Sequence, residues 1–173
     1  EKDENNYKWN WNTPLLVSPH NPKRLYYAAE YLFRSDDRGD SWRKISPDLT
    51  RQIDRNKLEV MGRVWSVDTI AKNDSTSMFG SAIMISESEL QEGLIYVGTD
   101  DGVLNITEDG GQSWVKTTRF SGVPDMTYID DVQASLHDKN TVYAVMENHK
   151  RGDEKPYVLT VSYTHLRAHE TPI

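Results

Sequence analysis

The residue types best suited to chemistry stand near the end of the chain, where His165 and His169 lie four apart with Glu170 beside them. On a helix that spacing turns both imidazoles to one face, where they could hold a metal. Acids recur in a second pattern. Asp37 in "SDDRGDSW" and Asp109 in "TEDGGQSW" both fall in the run S/T-x-D-x-G-x-S-W. A calcium loop needs more oxygen ligands at closer spacing, so these aspartates are expected to fix a turn. Gly39 and Gly111 can take a positive φ. Asp37 and Asp109 can accept backbone N–H groups across the turn, joined by Ser35 or Thr107 and completed by Ser41 and Ser113. Trp42 and Trp114 open the next strand and are expected to be largely buried against a neighbouring repeat.

Other chemistries are excluded by residue type. The chain of 173 residues has no cysteine, so thiol nucleophiles, disulfides and Cys-ligated zinc are absent. It contains no Gly-rich phosphate loop, no G-x-S-x-G elbow and no H-E-x-x-H, and no cofactor or metal is expected. A net charge of −7 argues against binding nucleic acid. No run of about 18 apolar residues is present, so no membrane span is expected in this segment. The first residues, "EKDENNYKWNWN", are charged, carry no apolar signal core and begin without Met. The true start is therefore expected to lie upstream.

What must position these residues is a repeat. Each box follows a short apolar hairpin, "RLYYAAEYLFRS" before the first and "LIYVGTDDGVLNIT" before the second, and leads into a further strand, "WRKIS" or "WVKTT". A third hairpin begins at Thr141. Its lead-in "SLHDKNTVYA" matches "SPHNPKRLYYA", which gives His20 and His137 equivalent turn positions and a hydrogen-bonding role. His149 belongs to a charged loop with Lys150 and Arg151. Alternating residues, turn signals at short intervals and no long amphipathic helix predict an all-β fold. The long connection "PDLTRQIDRNKLEVMGRVWSVDTIAKNDSTSMFG" is expected either to pack Met61 and Trp65 on the fold or to form a lip, with "VWSVDTIA" as a strand or short helix.

The boxes and hairpins of residues 9 to about 160 resemble the Asp-box, or bacterial neuraminidase repeat, β-propellers. That family includes sialidases, xyloglucan-cleaving endoglucanases, sortilin-type receptors and a photosystem assembly factor. The pairing of "GLIYVGTDDG" with "TEDGGQSW" is most similar to secreted bacterial propellers of the sortilin type, many of them described as glycosyl hydrolases. The resemblance implies a partial β-propeller of about three four-stranded blades, at about 9–46, 81–118 and 127–160, with an insertion at 47–80. It also implies that the remaining blades of the full-length protein cover its apolar ends, and that the location is secreted or periplasmic.

In that family the box occupies the turn between the third and fourth strands, and ligands bind the opposite face. There lie the second-to-third turns, around Glu30, at Asp100-Asp101-Gly102 and at Glu147–Pro156, with the links between blades. The carboxylates gathered there, Asp68, Asp100, Asp101, Asp130 and Asp131, are the candidates for acid, base or nucleophile in glycoside hydrolysis. Trp65 and Tyr128 are the candidates for stacking on a ligand. Arg34, Arg63 and Arg119 do not fall in contexts that match a sialidase arginine triad. The expected role is binding of a peptide, protein or glycan on this face. A glycoside hydrolase acting through paired aspartates, or a non-catalytic assembly scaffold, are the alternatives.

The repeat also bears on the histidine pair. "YVLTVS" aligns with "EYLFRS" and "GVLNIT", so Ser162 should open a third box, yet the continuation has no Asp, Gly or Trp at the required places. Val161–Thr171 instead resembles the in-frame translation of a transposon sequencing adapter. Residues 161–173 are accordingly expected to be a non-native tail, and His165 and His169 not to form a metal site.

Overall fold

The computed structural model describes residues 7–59, 61–70 and 79–162. The histidine pair and Glu170 lie outside the described residues, as does most of the expected tail.

Among the described residues eleven strands form three antiparallel sheets in chain order. The first holds β1 (Leu15–Val17), β2 (Leu25–Ala28), β3 (Leu32–Ser35) and β4 (Arg43–Lys44). The second holds β5 (Ala82–Glu87), β6 (Ile95–Thr99), β7 (Leu104–Thr107) and β8 (Val115–Thr117). The third holds β9 (Tyr128–Ala134), β10 (Thr141–Asn148) and β11 (Asp153–Ser162). Each sheet is a meander in which sequence neighbours pair, so each turn fixes the next register. A fourth strand was expected in every sheet. Among the described residues the third has three, because longer strands of seven, eight and ten residues take up the stretch expected to hold four.

Sheet faces bury by alternation. Tyr26, Ala28 and Leu32 of the first sheet meet Ala82, Ile85, Ile95 and Val97 of the second in one core. The opposite face of the second sheet, with Tyr96, Leu104 and Ile106, meets Ile129, Val132, Val142, Ala144 and Met146 of the third in another. Gly98 is needed for this contact. A Cβ there would stand 2.6 Å from Ile129 Cγ2, closer than carbon atoms approach. His20 Nε2 lies 2.7 Å from the Ser88 carbonyl and ties the first turn of one sheet to that of the next.

Both boxes form the same turn. Ser35 Oγ accepts Gly39 N–H at 2.8 Å while donating to Asp37, whose carboxylate accepts the N–H and hydroxyl of Ser41. Thr107, Gly111, Asp109 and Ser113 repeat these bonds. The tryptophans differ. Trp114 is half-buried between its own box and Ile45 of the first sheet. Trp42, expected to be buried, is 42% exposed, and among the described residues no sheet stands beside it as the first sheet stands beside Trp114.

The described part of the insertion is mostly irregular. It has one short 3₁₀ turn at Arg55–Lys57 and neither strand nor helix over residues 64–70. Of the two expectations for the insertion, packing on the fold does not hold for Met61, which is 94% exposed, and Trp65 carries the Arg63 guanidinium 3.2 Å above its ring. Among the described residues no helix is long and apolar enough to cross a membrane.

Candidate ligand-binding cleft

Antiparallel meanders send alternate turns to opposite ends. The boxes occupy one end. The β2–β3, β6–β7 and β10–β11 turns occupy the other, together with the links between sheets. A cleft of about 560 Å³ opens at this second end.

Its floor is set by the β6–β7 turn. Asp100 is 8% exposed, and its Oδ1 accepts the N–H groups of Gly80 at 3.0 Å and Ser81 at 2.8 Å. Its Oδ2 accepts the Ser81 hydroxyl at 3.0 Å and the Asn10 amide at 3.5 Å. One side chain thus joins the turn, the end of the insertion and the N-terminal segment. Burial pushes the Asp100 carboxyl up to about 6, against the pull of the Ser81 N–H and with help from the Asp101 charge. Asp101 is fully buried and points away from solvent. It accepts Thr99 Oγ1 at 2.6 Å and Arg51 N–H at 2.7 Å, and burial raises its pKa. Gly102 follows at φ +75, where a Cβ would lie 2.7 Å from the Thr127 carbonyl, so the turn can press against the next link.

That link supplies the wall. Arg51 bonds the Thr118 carbonyl and Asp125, each at 2.7 Å, and Arg151 donates to the Asp125 carbonyl at 3.0 Å. The clamp sets Met126 and Tyr128 on the cleft, where Lys150 Nζ lies 4.7 Å above the Tyr128 ring. The end of β10 adds Asn148 and Glu147, which contacts the His149 imidazole, and the turn after it adds Arg151. Asn10, Trp11, Asn12 and Phe79 close the other side.

Of the sequence candidates, the structure brings Asp100 and Tyr128 to the cleft. Asp101 is buried beneath it. Asp130 is exposed and Asp131 half-buried on β9, outside the lining, and Asp68 is exposed on the insertion with its N–H bonded to Ser66 Oγ at 3.3 Å. Trp65 does not line the cleft. Sequence reasoning missed Asn10, Trp11, Asn12, Phe79 and Met126. The alternation of Trp and Asn in "KWNWN" was a usable signal for the first three, since amides beside flat rings suit polar ligands. Phe79 and Met126 had none. Among the described residues no group of three His, Asp or Glu side chains is placed to hold a metal.

No family model matches the chain, and no curated protein sequence does. Solved structures do. A GH74 xyloglucanase from Xanthomonas campestris superposes with a TM-score of 0.57 and 22% identity, over 88% of this chain and 21% of that one. YCF48 from Cyanidioschyzon merolae follows at 0.46 and 12%, over 84% of this chain and 37% of that one. A structure of YCF48 bound to D1 peptide gives 0.41 and 14%, over 83% and 38%. The chain therefore spans about a fifth of the xyloglucanase. The likeness is one of fold: this is an all-β chain of three antiparallel sheets that matches part of a β-propeller.

Proposed function

We propose that this segment belongs to a ligand-binding β-propeller, and that the cleft opposite the boxes takes a peptide, protein or glycan without cleaving it through the segment's own aspartates. One observation carries this reading. Of the five candidate aspartates only Asp100 lines the cleft, and its carboxylate is spent on Gly80, Ser81 and Asn10. Hydrolysis of a glycoside requires two carboxyl groups free to face the bond. Flat rings (Trp11, Phe79, Tyr128) beside amides and two cations supply apolar contact and orientation, as binding sites do. The resemblance to sortilin-type propellers extends this reading to a secreted or periplasmic protein.

A hydrolase is the second reading, favoured by one feature: Asp100, raised to about 6, shares the cleft with Glu147. A protonated acid and a second carboxylate are the parts such an enzyme needs. Direct assay separates the two. The protein is incubated with xyloglucan and other β-glucans, release of reducing ends is followed, and retention is measured on the same glycans and on an immobilised peptide library. Retention of one class, weakened at least about tenfold by Tyr128→Ala, with no new reducing ends, is expected. Cleavage that disappears in Asp100→Asn would replace binding with hydrolysis, and neither retention nor cleavage would remove both readings.

A further inference from the structure

The tripeptide Arg-Gly-Asp occurs twice in the chain, at Arg38–Asp40 and at Arg151–Asp153, each time at a turn. The second copy is taken up by the fold. Arg151 donates to the Asp125 carbonyl at 3.0 Å, and Asp153 accepts the Lys155 N–H at 3.2 Å and the Tyr157 hydroxyl at 2.5 Å. The first copy is free. Arg38 and Asp40 are exposed, and among the described residues neither side chain has a hydrogen-bond or ion-pair partner. The adjacent carboxylates do not capture the guanidinium. Asp36 pairs with Arg24, Arg34 and Arg43, and Asp37 is closed by Ser35 and Ser41.

Neither residue serves the turn. The box pattern leaves both positions open, and the second box has Gly110 and Gln112 in them. The first of the two positions is left-handed in both boxes, at φ +65 for Arg38 and +70 for Gly110. Glycine takes that backbone without strain and arginine does not. Gln112 folds its amide back on the Asp109 carbonyl at 3.1 Å, a bond for which Asp40 has no donor. The first box thus carries a strained arginine and an uncompensated carboxylate, and strain of this kind gathers where a chain meets its ligands.

The backbone between the two charges is fixed. Arg38 N–H is bonded to the Lys23 carbonyl at 2.9 Å, Gly39 N–H to Ser35 Oγ at 2.8 Å, and the Gly39 carbonyl to the Trp42 indole at 3.0 Å. A cation and an anion two residues apart are therefore presented on a rigid frame, which lowers the ordering cost of binding. A sheet packed beside a box does not cover these positions. At the second box, where Ile45 of the first sheet bonds Trp114, Gln112 remains exposed. A Cβ on Gly110 would have one atom within 4 Å, the Arg34 guanidinium nitrogen at 3.8 Å.

We infer that Arg38-Gly39-Asp40 is a docking site for a receptor whose own site holds a divalent cation beside a carboxylate. The Asp40 carboxylate completes the oxygen shell of that cation. The Arg38 guanidinium forms a two-pronged pair with the receptor carboxylate. This turn and the cleft lie at opposite ends of the sheets, so the interaction is independent of the proposed cleft ligand.

Integrin ectodomains that take Arg-Gly-Asp peptides have such a site and serve as the probe. The full-length protein is passed over immobilised integrin in buffer containing manganese, and binding is read by surface plasmon resonance. Saturable binding is expected, abolished by EDTA and weakened at least about tenfold by Asp40→Glu, which displaces the carboxylate by one methylene. Asp153→Glu should bind as the wild type does. Arg38→Gly should lose binding without lowering Tm, since the second box has glycine at that place. No binding in manganese, binding that survives EDTA or Asp40→Glu, or an equal loss in Asp153→Glu would each overturn the inference. So would a lower Tm in Arg38→Gly, which would make the arginine part of the fold.

Discussion

Asp37 gives its carboxylate to the Ser41 hydroxyl, the Ser35 hydroxyl and the Ser41 N–H, which hold its pKa at about 2 against an ordinary 3.8. At Asp109 burial works the other way, yet the Ser113 hydroxyl and N–H, Thr107 and Gln112 outweigh it and leave the group at about 2. Asp100 moves in the opposite direction, to about 6, because burial dominates. The consequences for stability are opposite in sign. The box aspartates contribute stability that is complete above pH 3.8 and is lost as pH falls toward 2. Folded Asp100 keeps its proton to about pH 6 while the unfolded chain releases it near 3.8, so that term weakens the fold as pH rises through this window. Urea unfolding of the wild type, Asp37→Asn and Asp100→Asn from pH 2 to 8 should show a flatter acid limb for the first variant. The second should gain on the wild type between pH 4 and 7, because asparagine can still accept the Gly80 and Ser81 N–H groups. A gain that does not change with pH would refute the Asp100 assignment. The spacing of the box made its turn legible in sequence. Nothing in "TDDG" indicated that one aspartate faces a cleft and the other lies buried, since that follows from Gly80, Ser81 and Arg51, which are distant in the chain.

At the scale of elements, hairpin patterning was sufficient to place the strands, and the repeated boxes placed their turns. It was insufficient for the insertion, where residues 64–70, "VWSVDTI", have strand-like composition but form neither strand nor helix. It also misjudged Trp42, because burial of a box tryptophan depends on the sheet before it rather than on the box. Sheet-to-sheet contact rests on small residues as much as large ones. Gly98 is the clearest case: its φ is one that any residue adopts, so Gly98→Ala adds a methyl group against Ile129 and Val132 without backbone strain. It should destabilise by about 1–3 kcal/mol in chemical denaturation, the usual cost of overpacking. Ile129→Ala in the same chain should recover part of that loss. Strict additivity of the two changes would mean that the second and third sheets do not meet there.

For the whole molecule, the topology sends one set of turns to the boxes and the other to the cleft. That division was accessible from sequence once the repeat was aligned. The chemistry of the cleft was not, because its walls come from the N-terminal segment, the end of the insertion and a link held by Arg51 and Arg151. No local pattern signals such convergence. Under the proposed function, ligand engages this end and not the box end. Hydrogen exchange of the protein, alone and with the glycan or peptide retained in the binding assay, tests it most directly. Slowed exchange at residues 10–12, 126–128 and 147–151, with no change at residues 35–42 and 107–114, is the predicted result. Protection confined to the box turns would contradict it.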